Sequence, residues 1–185
     1  MLRLVLLGGP GSGKGTQAEL VARRTGVRHI STGELLRAEV AAGSALGRKV
    51  AGYLDSGELV PDGLLLDLTL PLVRAAAGAG GYLLDGFPRS VAQARLLDAG
   101  TEPAAAVSRV VLLSVPRDEL VARLRNRATE QGRADDTDEV IRRRLQVFEA
   151  ASGPLVDYYL ESGRLVVLDA GAPPEVVAER LEQAL

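Results

Sequence analysis

The stretch Gly8-Gly9-Pro10-Gly11-Ser12-Gly13-Lys14-Gly15-Thr16 decides the fold. It follows the apolar run Leu2–Leu7 and leads into Gln17-Ala18-Glu19-Leu20-Val21-Ala22, a helical composition. Strand, glycine loop and helix in that order are the setting of a phosphate-binding loop. Glycines let successive backbone N–H groups converge on phosphate oxygens, and the helix N-terminus adds its positive end. Lys14 is then placed to reach the outer phosphates, and Thr16 to present a hydroxyl near a metal. The spacing departs from the usual pattern in one respect, because Gly15 stands between the lysine and the hydroxyl residue. The competing reading is an ordinary glycine-rich turn between strand and helix. The lysine weighs against it: of 22 basic residues only Lys14 and Lys49 are lysines, so this chain rarely uses one.

Working outward, further short apolar runs occur at Val27–Ile30, Tyr82–Leu84, Val110–Val115 and Leu165–Leu168. Amphipathic segments alternate with them: Thr16–Arg24, Glu34–Val40, Leu64–Ala76, Val91–Asp98, Arg117–Arg127, Asp138–Ala150 and Pro174–Ala184. Alternating strands and helices predict right-handed βαβ units and a parallel sheet covered on both faces, an α/β fold. The small-residue run Ala75–Gly81 reads as a helix end and turn before the third strand.

A chain of 185 residues has room for one domain and buries enough surface to need no disulfide or metal staple. It has no cysteine, which excludes thiol catalysis and any cysteine-ligated zinc. A net charge of −2 and 3% aromatic residues give neither a basic field nor a stacking platform for nucleic acid. No apolar run approaches the ~18 residues of a membrane span. The apolar start ends at Gly8, short of the roughly 7–15 residues of a signal-peptide core. A buried first strand in a cytoplasmic protein is expected.

Three more segments carry candidate chemistry. Ser31-Thr32-Gly33-Glu34-Leu35-Leu36-Arg37 reads as a capping box, with Arg37 one turn beyond Gly33 on the same face and able to meet an anion there. A plain capped helix with a surface arginine is the alternative. Asp85-Gly86-Phe87-Pro88-Arg89 closes the third strand, with Gln93 one turn further on. A carboxylate at that strand end lies where ligands bind and can hold Mg²⁺, directly or through water, although a helix cap would use the same residue. Arg89 can clamp a phosphate. The third segment holds Arg123, Arg127 and Arg133, followed by Arg142, Arg143 and Arg144. Consecutive arginines on a helix point in different directions, and Arg142 and Arg143 are read as solvated. Ala128–Gly132 is polar enough for a loop that closes over a ligand. His29 is read as a packed or half-exposed strand residue.

Together with Gly57-Glu58-Leu59-Val60-Pro61-Asp62 and Arg133-Ala134-Asp135-Asp136-Thr137, these motifs resemble adenylate kinase in its short-lid bacterial form, in order along nearly the whole chain. The Gly-Lys-Gly-Thr order is that family's own version of the loop. The resemblance implies a P-loop fold with a five-stranded parallel sheet, a monophosphate-binding segment at about 31–60 and a short lid at about 127–133. It implies that Gly11, Ser12, Gly13, Lys14, Gly15 and Thr16 cradle the phosphates of ATP, with Arg127 and the backbone of Gly171 at its base or phosphate end. AMP would meet Thr32, Arg37, Glu58, Leu59, Val60, Gly86, Phe87, Pro88, Arg89, Gln93, Arg133 and Arg144. Lys14, Arg89, Arg133 and Arg144 would act on the transferred group, with Asp85 holding Mg²⁺ through water and no zinc. The family's partners are small molecules, ATP, AMP and ADP, and it is usually monomeric.

The reaction so implied is Mg·ATP + AMP ⇌ Mg·ADP + ADP, which keeps adenine nucleotides in balance. Its acceptor is a phosphate oxygen, so no general base is needed. Pyrimidine monophosphate kinases tend to carry Asn directly after Phe-Pro-Arg, where this chain has Ser90. A hydroxyl-accepting kinase would need a base, for which Asp85 could serve, but the arginine-rich acceptor side suits a phosphate better. A GTP-binding switch would need an Asn-Lys-x-Asp segment, and Lys49 stands in Gly47-Arg48-Lys49-Val50.

Overall fold

The structure, a computed structural model, describes residues 1–131 and 137–185. Five parallel strands, β1 (Leu2–Gly8), β2 (Arg28–Ser31), β3 (Gly81–Asp85), β4 (Arg109–Ser114) and β5 (Leu165–Asp169), form one sheet in the order β2-β3-β1-β4-β5. Continuous apolar runs suit this sheet because both of its faces are covered. Along β1, Val5 and Leu7 face one core while Leu4 and Leu6 face the other.

Eight helices cover the sheet and its edge among the described residues: α1 (Lys14–Thr25), α2 (Thr32–Ala41), α3 (Ala45–Ser56), α4 (Asp62–Gly78), α5 (Val91–Gly100), α6 (Arg117–Gln131), α7 (Asp138–Glu161) and α8 (Pro174–Gln183). Ala18 and Val21 of α1 pack with Val177 and Leu181 of α8 on one face. Val73 of α4, Leu97 of α5 and Tyr159 of α7 fill the other. A smaller core joins Leu120 and Leu124 of α6 to Ile141 and Leu145 of α7.

Three elements differ from the sequence reading. Helix α3 was not expected, yet Leu46, Val50, Tyr53 and Leu54 repeat at helical spacing, and the Ser44 side chain caps its start by accepting from Gly47 N–H at 2.8 Å. Helix α7 runs to Glu161 rather than Ala150, straight through Pro154. An interior proline costs about 3 kcal/mol, but burying Leu155 and Tyr159 beyond it contributes about 1.5–3 kcal/mol each, so the helix continues. The expected closing loop Ala128–Gly132 is instead helical through Gln131, in line with the helix propensity of Ala128, Glu130 and Gln131. Its last residue, Gly132, and the segment Arg133–Asp136 lie outside the described residues.

The far half of α7 is bolted down. Asp98 on α5 accepts two bonds from Arg164, at 3.1 and 2.9 Å, and one from the Tyr158 hydroxyl at 2.7 Å. The Arg164 guanidinium also lies 5.0 Å from the centre of the Tyr159 ring. Burial raises the Asp98 pKa, but the bonds from Arg164 and Tyr158 outweigh it and hold the carboxyl below its ordinary value. This anchor fixes one end of the helix whose other end carries Arg144.

Candidate active site

β1 and β3 lie side by side and send their connections in opposite directions, β1 toward β2 and β3 toward β4. Such a switch point opens a crevice at the carboxyl ends of the strands. The glycine loop leaves β1 there, and the Asp85–Arg89 segment leaves β3. A cleft of about 880 Å³ runs between them.

The loop closes on its own backbone. Lys14, first residue of α1, donates from Nζ to Gly8 O at 2.8 Å and to Gly9 O at 2.9 Å. Gly11 has φ +83°, and a Cβ there would stand 2.9 Å from Leu120 O, so only glycine fits. Burial is the main reason the Lys14 pKa falls to about 8; Asp85 opposes the fall, while Arg89 and Arg127 add to it.

Across the cleft, Asp85 ends β3 in register with Leu6 of β1 and Ser31 of β2. Its carboxylate reaches the loop, since a Cβ on Gly15 would lie 3.7 Å from Asp85 Oδ2. It stands as a strand-end carboxylate and not as a helix cap. The Thr32 hydroxyl donates to Asp85 O at 3.3 Å, and Ser31 caps α2 by accepting from Glu34 N–H at 3.5 Å. His29 packs as a strand residue, with Nε2 at 3.9 Å from Asp85 Oδ2.

Arg89 is held by its own segment, Nε donating to Gly86 O at 2.7 Å. Gly86 has φ +83°, and a Cβ there would meet the Thr32 hydroxyl at 2.7 Å. Burial lowers the Arg89 pKa; Asp85 pulls it back up, and the guanidiniums of Arg144 and Arg37 lower it further. Arg37 covers Gly33, as their spacing predicts, with Nη1 3.2 Å from where a Gly33 Cβ would be. The guanidiniums of Arg144 and Arg37 thus act on that of Arg89 beside one carboxylate, an arrangement that favours an incoming polyanion. In all, Lys14, Arg37, Arg89, Arg123, Arg127 and Arg144 border the cleft against Glu19, Glu34, Glu58 and Asp85.

The cleft brings together Gly11–Thr16, Thr32, Arg37, Glu58, Leu59, Val60, Asp85, Gly86, Pro88, Arg89, Arg127, Arg144 and Gly171. Phe87 does not line it but lies in the core, 1% exposed. Gln93 is also fully buried, with Nε2 donating to Asp62 Oδ1 at 2.7 Å and Oε1 accepting from Arg89 N–H at 2.6 Å. Arg133 lies outside the described residues. Arg143, read as solvated, is half exposed and pairs with Glu58 at 2.9 Å. Sequence reasoning assigned no role to Arg123, which lines the cleft and donates to Ala170 O at 3.0 Å. Its signal was the four-residue spacing to Arg127. Tyr53 and Phe148, also on the lining, were missed because α3 and the middle of α7 were not placed against the site.

A family model, that of adenylate kinase, matches residues 6–164. The chain belongs to the adenylate kinase family. An adenylate kinase of Stenotrophomonas maltophilia (strain R551-3) is 44% identical over 185 residues, covering 100% of this chain and 99% of the relative. One from Synechococcus sp. (strain WH7803) is 46% identical over 187 residues, covering 99% and 98%. An adenylate kinase of Bacteroides thetaiotaomicron is 44% identical over 160 residues, covering 86% and 85%. The chain is accordingly a phosphotransferase of the ATP:AMP class with a P-loop fold. No helix among the described residues is long and apolar enough to cross a membrane.

Proposed function

We propose that the chain carries out Mg·ATP + AMP ⇌ Mg·ADP + ADP with the donor on the glycine-loop side of Asp85 and the acceptor on the Arg37–Arg89 side. The observation that carries this division is the placement of two cations, Lys14 on the loop that leaves β1 and Arg89 on the segment that leaves β3, with the strand-end carboxylate of Asp85 acting on both. The donor triphosphate lies along Gly11–Thr16, and Lys14 exchanges the Gly8 and Gly9 carbonyls for phosphate oxygens. Arg127 and the Gly171 backbone meet the donor from the α6 and β5 sides. The AMP phosphate lies among Arg37, Arg89 and Arg144, with Thr32, Glu58–Val60, Gly86 and Pro88 around the nucleoside. For Gln93 to read the acceptor base, its Nε2 must exchange Asp62 for the base. Arg133 acts with Arg144 on the transferred group.

The acceptor oxygen is anionic at neutral pH, so no side chain has to remove a proton. The protein's work is to align two polyanions, exclude water and place positive charge where the transferred group develops negative charge. The donor set fits Mg²⁺, which takes one or two carboxylates and keeps waters and substrate phosphates. Among the described residues no cluster of three or more His, Cys, Asp or Glu forms a complete protein cage. Asp85, through water, and the Thr16 hydroxyl are the residues that would hold the ion. When bound, the ion screens repulsion between the two nucleotides and spreads charge on the phosphoryl group.

The test is a coupled assay of ADP formation from Mg·ATP with AMP, CMP, UMP, GMP or shikimate offered separately. Turnover with AMP alone, abolished by EDTA, is expected. Turnover with CMP or UMP in its place would overturn the acceptor assignment.

A further inference from the structure

Gln17 lies on the first turn of α1, three residues after Lys14, and is 3% exposed. Its Nε2 donates to Pro174 O at 2.8 Å, across 157 residues of sequence. A carbonyl can only accept, so this bond fixes which end of the amide is which. Pro174 opens α8, directly after the 170–173 segment that leaves β5 and borders the cleft. The bond therefore joins the structural base of the glycine loop to the far wall of the donor half. Both Gln17 and Pro174 line the cleft.

The other end of the amide is unsatisfied. Gln17 Oε1 is buried without a hydrogen-bond partner, although its neighbours Ala18 and Val21 make this an apolar face. A buried carbonyl oxygen without a donor is destabilising, so an apolar side chain of equal length would suit the packing at least as well. What an apolar side chain could not supply is the N–H donor to Pro174. A stability penalty accepted beside a cleft marks a group retained for the site.

We propose that Gln17 is a positioning residue of the donor nucleotide site: its amide sets the separation between the phosphate cradle and the 170–174 wall, and so the fit of a whole nucleoside triphosphate. This rests on the donor assignment made above. A ligand that uses only the cradle does not feel that separation, and neither does AMP on the other flank. The inference thus separates two effects that a purely structural staple would merge.

The experiment compares binding of ATP and of inorganic tripolyphosphate by calorimetry, together with the KM for AMP, in the full chain and in Gln17→Met. The substitution keeps length and removes the donor. The account expects the dissociation constant for ATP to rise about tenfold, the effect of one lost hydrogen bond. Tripolyphosphate binding and the AMP KM should stay within about twofold, well under the effect of one such bond. Parallel loss of ATP and tripolyphosphate binding would overturn the proposal in favour of a structural role, and so would no loss of either. Thermal unfolding is followed alongside. Should Gln17→Met fail to fold, Gln17→Leu also removes the donor to Pro174 O without adding a charge beside the cradle, and the same split is expected. Wild-type protein that binds ATP yet shows no AMP-dependent turnover would count against the phosphotransferase reading and leave the binding comparison readable.

Discussion

The two flanks of Asp85 are built in opposite ways. On the donor flank, Lys14 and the oxygens it engages, Gly8 O and Gly9 O, fall within seven consecutive residues. On the acceptor flank, Arg37, Arg89 and Arg144 come from three helices or loops far apart in sequence, and Arg144 also donates to Leu54 O at 3.4 Å. A local cradle is complete as soon as its strand and helix form. An assembled one depends on how α2, α3 and α7 are held against the sheet. The donor flank should therefore respond sharply to single substitutions inside the loop, and the acceptor flank also to changes in the elements that carry it.

The largest expected effect comes from removing the cation that either flank sets beside Asp85. Lys14→Ala and Arg89→Ala should each lower kcat by about 10³-fold while the protein remains folded. Separate KM measurements then sharpen the contrast, since Lys14→Ala should weaken ATP and Arg89→Ala should weaken AMP. Near-wild-type turnover in either variant would break it.

A second effect follows from the partly buried charge of Lys14. Its folded pKa of about 8 lies below the unfolded 10.5, so between these values the unfolded chain binds more protons. The resulting stability penalty is full below about pH 8 and is relieved as pH rises toward 10.5. Lys14→Met should remove a penalty of at most about 3 kcal/mol at pH 7, less whatever its bonds to Gly8 and Gly9 contribute. Urea unfolding of the two proteins at pH 7 and pH 10 checks this: the variant's relative stability should fall as pH rises.

A smaller effect concerns the anchor of α7. Asp98→Asn leaves Arg164 without its partly buried carboxylate and should destabilise by about 1–3 kcal/mol at pH 7. Because the Asp98 pKa is depressed by folding, its contribution is present above the unfolded carboxylate range and lost as pH falls. The difference between variant and parent should then shrink in acid. The smallest effect is expected at Arg143, whose pair with Glu58 is half exposed. Arg143→Ala should change stability by less than about 1 kcal/mol and kcat/KM by less than about threefold.

Much of this was legible in the sequence where the determinants are local. The glycine loop, the Ser31 cap, the position of Gly33 beneath Arg37 and Asp85 at a strand end all follow from spacings of a few residues. The central strands β1, β3 and β4 were found because burial on both faces leaves unbroken apolar runs, and the partly exposed edge strands β2 and β5 from shorter runs. What was missed depends on tertiary contacts. Two glycines in α3 masked a helical repeat that packing makes sufficient, and the amphipathic segment was ended at Ala150 because the burial of Leu155 and Tyr159 further on cannot be seen in a linear pattern. The polar end of α6 has no apolar stripe to announce a helix. Gln93 and Phe87 illustrate the same limit at the site, since only the folded chain shows that both face inward.

The central claim is that phosphoryl transfer runs from one flank of Asp85 to a nucleotide held on the other, and not to water. The most direct measurement is the product balance of a single incubation of the protein with Mg·ATP and AMP, counting ADP and inorganic phosphate together. The account predicts two ADP for each ATP consumed, with negligible phosphate. Phosphate release that proceeds at the same rate without AMP would contradict it.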